Sequence, residues 1–199
     1  MMNHGKMLAL TLAIGVGSLA QAEERVGVAG SDVTFPKAVS RVVGDKETKL
    51  VVTGTGLREK YYVNVYAVGS YIAADTDVKS ATQLASADIP KMLHLIFERD
   101  VDGGEMVDGL TTGITYNYSK SEFSRELAAL GNYMKANPLR KGDQVWIVHV
   151  PGYGLSVQIS GRDQPVNIKS MKFSRAVWDI YVGPKNLGRH IKDGLTSRL

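Results

Sequence analysis

The feature that most constrains the fold is a long run of alternating residues in the first half of the chain. Leu50, Val52 and Gly54 occupy every second position, and apolar, small or aromatic residues do so again from 61 to 71. A period of two is typical of β-strands. The charged segment 58–60 lies between the two runs and predicts a turn. Residues 50–73 therefore predict two long paired strands, and neither face of the second strand is purely polar.

The remaining segments predict an alternation of strands and helices. Residues 91–99 are almost continuously apolar, which is typical of a strand covered on both faces. Asp102 is a predicted helix cap, and Ser119 with Glu122 forms a predicted capping box for a second helix that ends before Pro138. Further strands are expected at 144–150, 155–159 and 165–168, and helices at 172–182 and around Leu187, Ile191 and Leu195. The predicted fold class is α+β, an extended and mostly antiparallel sheet backed by a layer of helices, an open-faced sandwich.

The first 22 residues predict a secretory signal peptide. Lys6 precedes an apolar run from 7 to 17, and Ala20-Gln21-Ala22 is a small-x-small cleavage site. We expect cleavage after Ala22, a single mature domain at 23–199, and a periplasmic or secreted protein without stable membrane insertion. The alternative is an uncleaved N-terminal anchor. The sequence leaves the oligomeric state open.

Composition excludes several kinds of chemistry. The chain has no cysteine, so disulfides, thiolate nucleophiles and cysteine-ligated metals are excluded. The formal net charge is +4, but Arg140-Lys141 is the only adjacent basic pair, and we expect no nucleic-acid partner. His94 and His149 alternate with apolar strand residues and are predicted to be hydrogen-bonded core histidines. Glu98, Asp100, Asp102 and Glu105 lack the spacing of a calcium loop, so no metal site is predicted.

Arg58 is the candidate binding residue. It follows an apolar strand and precedes the tyrosine-rich segment containing Tyr61, Tyr62 and Tyr66. A guanidinium beside these rings would suit a ligand that has a carboxylate or phenolate head and an apolar body. The alternative is an exposed arginine in a hairpin turn.

Several motifs together resemble the bacterial chalcone-isomerase-like proteins. The specific parts are Gly54 to Ala73 (GTGLREKYYVNVYAVGSYIA) and Phe173 to Leu195, which contains the Gly183-Pro184 helix end. Phe35-Pro36, Phe97 to Val101, Lys141 to Asp143 and Pro151 to Gly154 follow the same order along the chain. The resemblance implies an extended antiparallel sheet backed by helices, with a cleft between them.

The resemblance also implies a comparison with the family's enzymes, which use an arginine, a threonine and a tyrosine to close a flavanone ring. Arg58 matches the arginine. Tyr66 occupies the threonine position, as in the fatty-acid-binding members, where arginine and tyrosine hold the carboxylate. Met106, which carries no ionisable proton, falls on or near the catalytic tyrosine position. Whether the protein is an enzyme stays open, and no catalytic residue is assigned.

The leading hypothesis is an exported, non-catalytic protein that binds a fatty acid or a similar apolar carboxylate without a cofactor. The predicted ligand-binding residues are Arg58, Tyr66, Tyr62, Tyr71, Met106, Leu110 and Ile114. Three alternatives remain. They are an isomerase for a chalcone-like phenolic substrate, a protein that binds haem or another cofactor in the same cleft through His94, His149 or a tyrosine, and a purely structural partner-binding domain.

Overall fold

A computed structural model describes residues 23–199. The predicted signal peptide, residues 1–22, lies outside the described residues. The strands are β1 Arg25–Val28, β2 Ser31–Pro36, β3 Ala38–Val43, β4 Lys46–Lys60, β5 Val63–Ala73, β6 Lys91–Phe97, β7 Gln144–Val150, β8 Gly154–Ile159 and β9 Val166–Ile168. The α-helices are α1 Ala81–Ser86, α2 Gly103–Thr115, α3 Ser124–Ala136, α4 Met171–Val182 and α5 Arg189–Leu195.

Strands β3 to β9 form one seven-stranded sheet in chain order, and each neighbouring pair is antiparallel. Helix α1 lies in the chain between β5 and β6, α2 and α3 lie between β6 and β7, and α4 and α5 follow β9. This arrangement confirms the predicted α+β class with an antiparallel sheet and helices. Within residues 23–199, no helix is long and apolar enough to cross a membrane.

The two long strands predicted from the alternation are β4 and β5, but the predicted turn at 58–60 is wrong. Strand β4 continues to Lys60, and the turn consists of Tyr61 and Tyr62, both with positive φ. Arg58 therefore lies within β4, directly opposite Tyr66 on β5. The pairing register shifts between Arg58 and Glu59, so Val65 on β5 is an extra residue in the ladder there.

The sheet is covered on both faces. One face packs against the helices in a large apolar cluster that includes Leu93, Leu95 and Trp178. The other face forms a smaller cluster with Phe35 of β2, together with Tyr71 and Met92. The hairpin of β1 and β2 thus covers part of the face that the helices leave free. The apolar run at 91–97 is buried on both faces, as predicted.

Strands β1 to β3 and helix α1 were not predicted. These three strands have only four to six residues each, so each shows too few periods of alternation to predict a strand. Helix α1 has only six residues, and its C-terminal carbonyl groups at Leu84 and Ala85 accept hydrogen bonds from the buried Nζ of Lys91. A tertiary contact therefore satisfies this helix end, which a local sequence signal does not reveal.

The two predicted helix caps differ in outcome. The Asp102 carboxylate accepts a hydrogen bond from the Glu105 backbone N–H and caps α2, as predicted. The predicted capping box is wrong. A short 3-10 helix, Lys120–Phe123, precedes α3, and the Ser119 hydroxyl lies 2.8 Å from the Ser121 hydroxyl and accepts no backbone N–H.

Candidate functional site

A cavity of about 560 Å³ lies between the helix-covered face of the sheet and helices α2, α3 and α4. Its size falls within the range of roughly 300–1,000 Å³ found for small-molecule sites. Several of its lining residues are exposed, namely Lys60, Asp102, Asp108, Thr112 and Tyr116. The cavity therefore opens to solvent between the end of β4 and helix α2.

The inner part of the cavity is apolar. Each of four successive strands contributes a wall residue, from Val65 on β5 through Leu95 on β6 and Ile147 on β7 to Val157 on β8. Neighbouring strands lie about 4.8 Å apart, so the span from β4 to β8 is about 19 Å. The helices supply the opposite wall with Met106, Leu110, Leu130, Met134, Val177 and Ile180. A long, unbranched apolar group has room to lie across the strands.

A polar cluster of Arg58, Tyr66 and Tyr181 lies in the β4–β5 part of the cavity. All three residues line the cavity, and the hydroxyls of Tyr66 and Tyr181 are 3.1 Å apart. Tyr181 comes from α4, 115 positions along the chain from Tyr66. The pairing of β4 with β5 and the packing of α4 on the sheet together assemble this cluster.

Arg58 has no acidic partner in the described part of the chain: none of its ion pairs includes this guanidinium. The side chain is half-buried, so its charge is only partly hydrated. It nevertheless acts on both neighbouring phenols, whose pKa values its charge lowers. A half-buried cation without a carboxylate partner, beside two hydroxyls, favours an anionic group in the cavity.

Both tyrosines stay protonated at neutral pH. Burial raises the pKa of Tyr66, an effect that its hydrogen bond with Tyr181 and the charge of Arg58 partly offset. Burial also raises the pKa of Tyr181 well above its usual value. One hydroxyl donates to the other, so the pair keeps one O–H available for a ligand oxygen. The cluster can thus offer a guanidinium and a phenol donor to a single carboxylate or phenolate.

Charged residues also line the entrance. Glu105 on α2 accepts hydrogen bonds from Arg99, and its Oε1 atom lies 3.5 Å from Nζ of Lys60 at the end of β4. The hydrogen bonds from Arg99 are the main cause that lowers the pKa of Glu105. The carboxylate therefore stays ionised and connects α2 to the hairpin beside the entrance.

The structure brings four of the seven predicted ligand-binding residues to the cavity: Arg58, Tyr66, Met106 and Leu110. Ile114 lies in the adjacent core, completely buried and outside the cavity lining. Tyr62 is fully exposed in the hairpin turn. Tyr71 is buried on the other face of the sheet, where its hydroxyl donates to the Pro36 carbonyl. These three side chains do not reach the cavity.

Sequence reasoning missed Tyr181. This residue lies in a predicted helix, but its spacing from Arg58 and Tyr66 gives no sign of contact. The signal that could have indicated it is a tyrosine on the apolar face of α4, since a buried phenol needs a hydrogen-bond partner.

The two strand histidines lie outside the cavity lining. His94 is on the other face of the sheet, stacked on Trp146 and hydrogen-bonded through Nε2 to Gln144. His149 contacts the Ser174 hydroxyl through Nδ1 and the Asp88 carboxylate through Nε2. Both are buried and hydrogen-bonded, as predicted. Neither histidine is therefore positioned to ligate a haem in this cavity.

Within residues 23–199, no three His, Asp or Glu side chains are grouped so that they could hold a metal ion. Asp102 of the acidic segment caps a helix, and Glu105 pairs with Arg99. These carboxylates have local structural partners.

Comparisons with known proteins agree with this architecture. A fatty-acid binding protein from Arabidopsis thaliana has a similar crystal structure, with a TM-score of 0.67 and 19% sequence identity, over 87% of this chain and 96% of that one. At this identity the likeness shows the fold. No curated protein matches the sequence. The model of the chalcone isomerase-like family matches residues 28–196, and the chain therefore belongs to the chalcone isomerase-like family.

Proposed function

We propose that this protein binds a fatty acid or a similar apolar carboxylate in the cavity and does not transform it. The observation that carries the proposal is the Arg58, Tyr66 and Tyr181 cluster beside an otherwise apolar cavity. The carboxylate would pair with Arg58 and accept a hydrogen bond from the tyrosine pair. The alkyl chain would lie across the strands, away from water. The Arabidopsis fatty-acid binding protein with this fold supports the proposal.

Met106 supports a binding role over a catalytic one. It lines the cavity on α2, where its thioether has no proton to give or take. The hydroxyls of Tyr66 and Tyr181 are held in their neutral form by burial. They are suited to donate hydrogen bonds to an anion rather than to remove a proton from a substrate at neutral pH.

Binding is tested with the purified protein and a fluorescent fatty acid, which palmitate then displaces. Mass spectrometry of an organic extract identifies any lipid that copurifies. Arg58→Met removes the charge and keeps much of the side-chain length. Because a hydrogen bond to a charged group contributes about 1.5–3 kcal/mol, we expect the affinity to fall about ten- to a hundredfold.

Arg41→Met is the matched control. The Arg41 guanidinium lies 4.3 Å from the Trp146 ring centre, and Arg41 is on β3, which is outside the cavity lining. Arg41→Met makes the same chemical change as Arg58→Met but should leave the palmitate affinity unchanged. Equal affinities for wild type and Arg58→Met, or an empty protein with no measurable affinity for fatty acids of any length, would contradict the proposal.

A second candidate function is the isomerisation of a chalcone-like phenol. The same cluster favours it, since Arg58 and a phenol donor in a partly dry cavity would stabilise a phenolate. The measurement is the cyclisation rate of a chalcone with and without the protein. A rate equal to the spontaneous one, unchanged by Arg58→Ala, would exclude this function.

We also propose that the protein is exported. The support is the basic start, apolar run and Ala20-Gln21-Ala22 site of residues 1–22. Intact-mass analysis of the protein from fractionated cells tests it. A periplasmic or secreted form that begins at Glu23 is expected, and a full-length form retained in the cell would contradict it.

A further inference from the structure

The tip of the β4–β5 hairpin exposes aromatic side chains. The exposed fractions of Tyr61 and Tyr62 are 86% and 102%, and that of the next residue, Val63, is 52%. Neither tyrosine hydroxyl has a hydrogen-bond partner within residues 23–199. The Lys60 ammonium lies 5.8 Å from the Tyr61 ring centre. The two rings therefore contribute little packing to the fold.

The backbone at the tip makes tyrosine an unfavourable choice. Tyr61 and Tyr62 have φ values of 52° and 64°, both in the left-handed region. A two-residue hairpin turn of this kind favours Asn-Gly or Asp-Gly, because side chains with a bulky Cβ substituent strain it. The fold alone would be better served by small residues at both positions. The exposed rings thus indicate a contact with something outside the chain.

The tip lies beside the cavity entrance. Lys60, which precedes Tyr61, lines the cavity and reaches Glu105 across the opening. Arg58 of the ligand cluster is three residues from the tip on the same strand. A surface that binds the tip would therefore lie close to the entrance of the cavity.

The residue types and the small size of the tip fit a lipid bilayer. Tyrosine is enriched at the interface between membrane and water, where its ring faces apolar chains and its hydroxyl faces the headgroups. The exposed tip consists of Tyr61, Tyr62 and Val63, whereas a stable protein interface needs a face of about 1,000 Å² or more.

We propose that the Tyr61–Tyr62 tip inserts into the surface of a lipid bilayer, and that the ligand exchanges with the bilayer there. The exchange step rests on the proposed function, because an apolar carboxylate partitions into bilayers. The surface contact itself does not depend on the ligand.

The test is sedimentation of the protein with vesicles made of equal amounts of phosphatidylcholine and phosphatidylglycerol. The informative variant is Tyr61→Asn with Tyr62→Gly, which gives the turn its preferred residues. We expect this variant to melt at the same or a higher temperature than wild type and to lose most of its vesicle binding. Its palmitate affinity without vesicles should be unchanged. Tyr62→Trp, which keeps an interfacial aromatic ring, should retain binding.

Tyr153→Ser is the matched control. Tyr153 is a partly exposed tyrosine in the β7–β8 turn, and the strand registers place this turn at the opposite end of the sheet from the hairpin tip. It should sediment with vesicles like wild type. Wild type that does not sediment, or a tip variant that sediments equally well, overturns the proposal, as does tip-dependent self-association without vesicles. Tip-dependent sedimentation of a protein without palmitate affinity supports the surface contact, and it contradicts the proposed function together with the exchange step that rests on it.

Discussion

Because Tyr66 and Tyr181 are hydrogen-bonded to each other, we expect the losses of unfolding free energy caused by Tyr66→Phe and Tyr181→Phe to be non-additive. Either Tyr→Phe change alone leaves one buried hydroxyl without its partner, which costs about 1–3 kcal/mol of unfolding free energy. The double variant removes both hydroxyls, so it should lose less stability than the sum of the single variants. Chemical denaturation of the four proteins measures this. Strictly additive losses would show that the two hydroxyls do not interact.

Palmitate binding by the same four proteins should follow a different order. The double variant has no O–H left for a carboxylate, so it should bind most weakly. Its stability should nevertheless exceed that of either single variant, because replacing both partners of a buried hydrogen bond by apolar groups can be nearly neutral. An affinity that simply follows stability would indicate that the hydroxyls act only through the fold.

His94 predicts a loss of stability in acid. Burial lowers its pKa from 6.5 to about 4 in the folded protein. Between these pH values the unfolded chain binds more protons, so the unfolding free energy falls as the pH falls, by about 3 kcal/mol over the whole interval. Urea unfolding at both ends of the interval measures the fall, which should be smaller in His94→Gln. The lowered pKa of His149 leaves a residual slope in that variant.

His190→Gln provides the comparison for His94. This histidine is exposed on α5, so its replacement should leave the acid-dependent loss at the wild-type value. If both variants lose stability in acid as wild type does, His94 is not the group that titrates.

Among the secondary-structure elements, the contact of α5 with β4 depends on Gly54. Its φ is 153°, and a Cβ there would lie 2.0 Å from the Gly194 carbonyl oxygen. Gly54→Ala should therefore separate the helix from the strand and lower the unfolding free energy by more than about 2 kcal/mol. Gly152→Ala is the control, since φ is 68° there but no atom lies within 4 Å. It should cost only about 1–2 kcal/mol. Equal losses measured by denaturation would mean that backbone strain alone determines the effect.

The long elements of this fold could be predicted because their burial is periodic. Strands β4 and β5 show a period of two over most of their length. The exact turn could not be predicted. Charged residues usually mark turns, but here Arg58 pairs with Tyr66 across the strands, and two tyrosines adopt the left-handed conformation. A preference of single residues was overridden by the pairing of two strands.

For the whole molecule, the sequence alone predicted one side of the site and not the other. Arg58 and Tyr66 lie on paired strands, so local patterns and the family resemblance identify both. Tyr181 reaches them only after α4 packs on the sheet, and Tyr71 points away because its strand faces alternate. Which tyrosines share a cavity is decided by the packing of distant segments, which periodicity does not encode.

The cavity predicts that a bound ligand stabilises the entire domain. A ligand that binds only the folded state adds about 2.7 kcal/mol at a concentration of a hundred times its Kd. For a domain of this size such a gain raises the melting temperature by about 5–10 °C. Palmitate should produce this rise in wild type, and hexadecanol, which has the same chain without the carboxylate, should produce a smaller one. In Arg58→Met the rises in melting temperature with palmitate and with hexadecanol should differ less than in wild type. The lost guanidinium interacts only with the charged head group of palmitate. Equal rises for both ligands in wild type would show that the cavity recognises the chain alone and that the Arg58 cluster has another role.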